Sequence, residues 1–163
     1  MDVPVLTVRV DAADFDVGQE IAQLRHAHPG VGAVVSFVGT VRELHPGADD
    51  PASGLVLEHY PGMTERSIEA MAQTLVARHQ LKGVTVVHRV GRLMQGEQIV
   101  LVLVAASHRR EAFMACECLM DWLKGEAPLW KKEFDRDGER WVMANDRDTQ
   151  ALARWGVRIG AAQ

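Results

Sequence analysis

The run from Gln98 to Ala106, Gln-Ile-Val-Leu-Val-Leu-Val-Ala-Ala, constrains this chain more than any other stretch. It is far too short to span a bilayer as a helix, and its β-branched content favours extended backbone. It therefore reads as a buried strand. With 163 residues and 47% hydrophobic content, the chain has the size of a single domain, expected over residues 1–155. A domain of that size buries about two-thirds of its unfolded surface and needs no disulfide staples.

Other strands and helices follow from periodicity and from turn residues. Leu6 to Val10 alternates as a strand, and Asp16 starts a helix with Gln19 as capping-box partner, ending near Pro29-Gly30. Gly32 to Val41 is an apolar strand that runs into Arg42 and then a loop from Glu43 to Ser53, rich in Pro, Gly and Asp and expected to be mobile. Leu55 to Tyr60 is a strand, and the helix after Pro61-Gly62 carries Ile68, Met71, Ala72, Leu75 and Val76 on one face. Val84–Val90 and Glu97–Ala106 read as strands joined through Gly91 to Gly96. After Ser107 a helix is expected with Phe113, Cys116, Met120 and Leu123 as its buried stripe. Leu129–Phe134 and Arg140–Val142 flank the hairpin signal Asp135-Arg136-Asp137-Gly138. A short helix spans Asp146 to Trp155, and residues 156–163 are expected to form a flexible tail. The order of elements indicates an α+β (mixed α/β) fold.

Composition excludes several functions. The 18 basic and 22 acidic side chains give a net charge of −4, which argues against general nucleic-acid binding, so any anion site must be local. Cys116 and Cys118 sit two apart in a helical pattern, roughly 200° from each other, so they form neither a bridge nor a metal pair there. They read as small buried hydrophobes in a reducing compartment. No metal-ligand spacing, nucleotide phosphate loop or dinucleotide fingerprint is present, so no metal or cofactor is expected. No secretory signal or membrane span is visible, and a cytoplasmic location is expected.

Chemistry is most concentrated where a helix is forced to stop, in Met120-Asp121-Trp122-Leu123-Lys124-Gly125-Glu126-Ala127-Pro128-Leu129-Trp130-Lys131-Lys132-Glu133. Lys124 closes the amphipathic run, Pro128 ends it, and Lys131 follows in a strand. Lysine responds strongly to desolvation, and one beside a second cation can act as nucleophile or proton carrier. Strand alternation puts Lys131 and Glu133 on one face and Lys132 on the other. Glu133 either orients Lys131 or simply pairs with it on the surface. Ser107-His108-Arg109-Arg110 leaves a strand and enters a helix, so helix N–H groups and guanidinium groups can meet one anion. The plainer alternative has His108 capping the helix and the arginines in solvent. Arg42 has a similar placement at a strand end.

Several ordered blocks resemble the catalytic (large) subunit family of molybdopterin synthase. They are Phe37-Val38-Gly39-Thr40-Val41-Arg42, Leu57-Glu58-His59-Tyr60-Pro61-Gly62-Met63, His88-Arg89-Val90-Gly91, Ser107-His108-Arg109 and the Met120–Glu133 segment. The resemblance implies an α/β hammerhead fold with an additional small antiparallel β-subdomain. It also implies a homodimer carrying a small ubiquitin-like sulfur carrier at each end. The carrier's Gly-Gly tail would end in a thiocarboxylate and deliver sulfur to cyclic pyranopterin monophosphate, forming the dithiolene of molybdopterin. Lys124 and Lys131 match the family's catalytic lysines. Arg42, His108, Arg109, Lys124, Lys131, Lys132 and Glu133 match its substrate-contact positions. Thr40 departs from members with lysine there.

Physically, Arg42, His108 and Arg109 suit a phosphate clamp. One lysine could move protons while the other stabilises an oxyanion at the carrier's carbonyl. Two further readings fit parts of the sequence: a non-catalytic module that adds a ubiquitin-like tail as a strand, and a metal-free phosphoesterase using His108.

Overall fold

A computed structural model describes residues 3–47, 50–143 and 146–156. The elements are β1 (Val5–Asp11), α1 (Val17–His26), β2 (Ala33–Thr40), β3 (Gly54–His59), α2 (Met63–His79) and β4 (Gly83–Arg89). They continue with β5 (Gly91–Met94), β6 (Gln98–Ala106), α3 (Arg109–Gly125), β7 (Leu129–Asp135), β8 (Gly138–Val142) and α4 (Asp146–Ala153). The first sheet has the order β1-β4-β6-β2, with β1 parallel to β4 and the other pairs antiparallel. The second, β5-β3-β7-β8, is antiparallel throughout. This is the α+β hammerhead architecture with a small antiparallel unit that the resemblance implies.

Strand β6 is buried on both faces, which explains its unbroken apolar sequence. Val100, Val102, Val104 and Ala106 face α2 and α3, where they meet Ile68, Met71, Leu75, Ala112, Cys116 and Leu119. Leu101, Leu103 and Ala105 lie in a second cluster with Phe15 and Leu24 on the α1 side. Helix α1 begins as expected, with Asp16 Oδ1 accepting from the Gln19 N–H at 2.9 Å. Ile99, at the start of β6, packs against both the main core and a third cluster of Val41, Leu55, Leu57 and Leu93. That contact joins the two sheets.

Two expectations change. The stretch from Gly91 to Gly96 contains a strand, β5, which pairs with β3 because Gly91 at φ +88 turns the chain out of the first sheet. Phe113 is 62% exposed, outside the buried stripe expected for it. The stripe that meets the sheet is Ala112, Ala115, Cys116, Leu119, Met120 and Leu123, and Phe113 falls at its margin. Trp122 and Cys118 are also buried, so α3 is enclosed over more of its circumference than the sequence stripe indicates. The predicted tail lies outside the described residues from 157 onward.

Gly54 is required by packing: a Cβ there would stand 2.2 Å from the Leu93 carbonyl oxygen and 2.6 Å from the Phe134 ring. Gly54→Ala should destabilise the protein by about 1–3 kcal/mol through overpacking. Urea titration of the variant checks this, and wild-type stability would contradict it.

Candidate functional site at the ends of α3

Only Ser107 and His108 separate β6 from α3, so the helix must reverse direction to pack against the strand that precedes it. The close approach at this corner is visible at Gly32, whose N–H donates to the Ala106 carbonyl at 3.0 Å. An added Cβ at Gly32 would lie 2.2 Å from the Ser107 carbonyl oxygen. His108 occupies the N-cap position with extended backbone, and its side chain makes no capping bond. The first-turn N–H groups of α3 therefore point outward with Arg109 and Arg110 beside them. A cleft of about 420 Å³ is lined there by Gly32, Ala33, Ser107, His108, Arg109 and Arg110. Neither His108 nor Arg109 makes an ion pair among the described residues.

Lys124 lies in the last turn of α3, exposed and also without an ion pair among the described residues. The helix rises about 1.5 Å per residue, so Arg109 and Lys124 are about 22 Å apart. Arg42 belongs to the Lys124 end. It follows Val41, whose N–H donates to the Glu97 carbonyl at 2.9 Å, immediately before β6 begins. Among the described residues the Arg42 guanidinium reaches only the neighbouring Glu43 carbonyl, at 3.4 Å. Along β6, at about 3.3 Å per residue, that end is roughly 26 Å from the His108 corner. One chain thus gathers Arg42 and Lys124 at one end of the sheet and sets His108 and Arg109 at the other.

Strand β7 divides its charged residues by face. Lys131 is opposite Leu57 and Glu133 opposite Leu55, so both share the face carrying the Val41, Leu55 and Leu57 cluster. Lys131 is exposed, while Glu133 is opposite Arg140 and lies 3.7 Å from its Nε. Among the described residues the ion-pair partner of Glu133 is therefore Arg140, and neither expected relation of Glu133 to Lys131 is seen. Lys132 is on the other face, with Nζ 3.3 Å from Glu58 Oε1 and 4.3 Å from the Trp141 ring centroid. The structure does not put Lys131 and Lys132 on one surface.

Sequence reasoning missed a polar cluster that connects the Arg42 loop to the hairpin. Asp135 Oδ2 accepts from Arg140 Nη2 at 2.8 Å and contacts His45 Nε2 at 3.3 Å, while Asp50 pairs with Arg136 at 3.2 Å. Within the loop expected to be mobile, these contacts fall at His45 and Asp50; positions 48 and 49 lie outside the described residues. Its acids and bases are dispersed in sequence, so only folding reveals the pairing. The Arg140 hydrogen bond, with the Asp137 N–H, lowers the Asp135 pKa to about 2. Burial pushes both cysteines up, to about 11, and both side chains are inside the protein. Among the described residues no group of His, Cys, Asp and Glu suits a metal ion, and no helix is long and apolar enough to cross a membrane.

The fold and these side chains define a small α+β protein that presents, at element ends, basic residues without an ion pair among the described residues. Its sequence matches the family described as "MoaE protein" over residues 10–126. It is 53% identical over 151 residues to a molybdopterin synthase catalytic subunit of Ralstonia nicotianae, spanning 93% of this chain and 85% of that protein. A molybdopterin synthase catalytic subunit of Mesorhizobium japonicum is 51% identical, with 91% and 92% covered. The solved molybdopterin biosynthesis MoaE protein of Burkholderia ambifaria superimposes with a TM-score of 0.79 at 50% identity, covering 94% of this chain and 100% of that one. The chain belongs to the MoaE family, the catalytic subunits of molybdopterin synthase, and is an enzyme of molybdenum cofactor biosynthesis.

The lowered Asp135 pKa has a defined pH consequence. Its contribution to hairpin stability is present above the ordinary carboxylate pKa and is lost as pH falls through about 2. NMR titration of the Asp135 carboxyl carbon should show that low midpoint, and Arg140→Ala should raise it. A midpoint near 4, the ordinary aspartate value, would contradict the pairing.

Proposed function

We propose that the chain transfers two sulfurs to cyclic pyranopterin monophosphate, each delivered by the C-terminal thiocarboxylate of a small ubiquitin-like carrier, to form the dithiolene of molybdopterin. The observation that carries this reading is the set of exposed basic side chains at Arg42, His108, Arg109, Lys124 and Lys131 that make no ion pair among the described residues, in a member of this family. In this reading the reaction takes place in the cytoplasm. Arg42, His108 and Arg109 hold the substrate phosphate by charge-assisted hydrogen bonds. Lys124 and Lys131 divide proton movement and stabilisation of the oxyanion at the carrier's carbonyl. Lys132 and Glu133, which match substrate-contact positions, are engaged by Glu58 and Arg140 and support the strand that presents Lys131.

A small substrate cannot touch both ends of α3, which are about 22 Å apart. A second copy of the chain removes the conflict. Strand β2 is at the edge of its sheet, with Phe37 and Val38 exposed on it and Phe113 exposed on α3, which packs against it. Such an apolar edge favours pairing with another strand. Antiparallel pairing of two β2 edges about a two-fold axis would set the Arg42 end of one copy beside the partner subunit's Arg109. In this reading each site takes Arg42, Lys124 and Lys131 from one chain and His108 and Arg109 from the other.

Lys124→Ala should abolish dithiolene formation with thiocarboxylated carrier, and Arg42→Ala should chiefly raise KM for the pterin. Each of Lys124→Ala and Arg109→Ala should be inactive as a homodimer. Unfolding and refolding an equal mixture should restore about a quarter of wild-type turnover, because half the dimers then contain one intact site of two. No recovery in a mixture that forms heterodimers would refute the shared site. The sulfur comes from the carrier, so replacing Cys116 and Cys118 together with alanine should leave transfer intact in the folded protein. Loss of turnover there would implicate an enzyme thiol.

A further inference from the structure

We infer that Thr64 is a positioning residue for the two lysines, acting through the connection between them. Lys124 and Lys131 are joined by a segment whose backbone is only partly ordered by its own hydrogen bonds. The Glu126 and Ala127 N–H groups both donate to the Trp122 carbonyl, at 2.8 and 3.2 Å, and the Leu129 N–H donates to Ala127 at 2.7 Å across Pro128. These bonds close the helix and form a tight turn, but none ties the connection to the second sheet.

Thr64 supplies that tie. It stands in the first turn of α2, is 0% exposed, and its Oγ1 donates to the Pro128 carbonyl at 2.9 Å. The same oxygen accepts from the Tyr60 N–H at 3.0 Å, and the Thr64 N–H donates to the Tyr60 carbonyl at 2.9 Å. One hydroxyl thus uses its donor and an acceptor to fasten the connection to the β3–α2 corner. That corner follows His59, which pairs with Leu129 in β7, so Pro128 is pinned where β7 begins. Proline cannot donate a backbone hydrogen bond, which leaves its carbonyl as the available polar handle.

Without the hydroxyl, the Pro128 carbonyl and Tyr60 N–H both lose a buried partner. Lys124 then keeps its helix and Lys131 its strand, while the join between them loosens. The lysines contact the reacting groups; Thr64 does not. A displacement of about 1 Å in such a pair can cost on the order of a hundredfold in rate, so the effect should appear in turnover before it appears in binding.

This inference rests on the sulfur-transfer reading, and the test separates the two. Thr64→Val, Thr64→Ala and Thr64→Ser are made in the full chain and assayed with thiocarboxylated carrier and cyclic pyranopterin monophosphate. Backbone hydrogen exchange at Glu126, Ala127 and Leu129 is followed in the same samples. The valine and alanine variants should lower kcat by about tenfold or more with KM within about twofold, while serine stays within about threefold of wild type. Exchange at the three amides should rise in valine and alanine and remain near wild type in serine. Wild-type kcat in a folded valine or alanine variant would overturn the inference. A loss in serine as large as in valine would do so too, since the hydroxyl would not then be the operative group. If wild type transfers no sulfur, the functional reading fails; the exchange data still decide the tether, with unchanged rates in alanine refuting it.

Discussion

The reversal from β6 into α3 governs the rest of the structure. A strand buried on both faces fixes the centre of the main sheet, and two residues then turn the chain back over it. Because the helix returns along the strand, its positive N-terminus and its lysine-bearing C-terminus lie at opposite ends of the sheet. Gly32 allows the corner to close against the Ser107 carbonyl, so a backbone contact at the opposite end of the sheet from Lys124 sets where the guanidinium groups emerge. The distribution of charge follows from this geometry rather than from local sequence.

Much of the main sheet was legible because its signals are local. The apolar run of β6, the Asp16 cap and the Ile68, Met71, Ala72 and Leu75 face each follow from one element's own periodicity or capping chemistry. Strand β5 was hidden because four residues between glycines resemble a connection, and only pairing with β3 makes them a strand. Phe113 was misplaced for a related reason: its spacing suits the buried stripe, but the extent of the covering surface decides which margin is exposed. The candidate residues were legible one at a time at the ends of elements. Their separation was not, since neither spacing nor composition specifies which ends of a strand and helix meet.

The alternation of β7 makes the same point over a shorter range. Periodicity divides Lys131 from Lys132, but the partners that distinguish them come from β3 and β8. Glu58 and Trp141 engage Lys132, whereas Lys131 remains exposed on the face continuous with Leu57. Two adjacent lysines therefore occupy different electrostatic settings, one committed to holding the small sheet together and the other open to an incoming anion. The Asp135, Arg140 and His45 contacts extend that sheet's influence to the loop after Arg42.

The burial of Cys116 and Cys118 acquires a further meaning in the proposed reaction, where the donor carries activated sulfur. These are the chain's two cysteines, and both thiols are enclosed and held well towards the protonated form. A protonated, sheltered thiol is a poor nucleophile. In the proposed reaction neither thiol is therefore placed to attack the carrier's thiocarboxylate carbonyl, which would form an enzyme thioester and release the sulfur as hydrosulfide instead of passing it to the pterin.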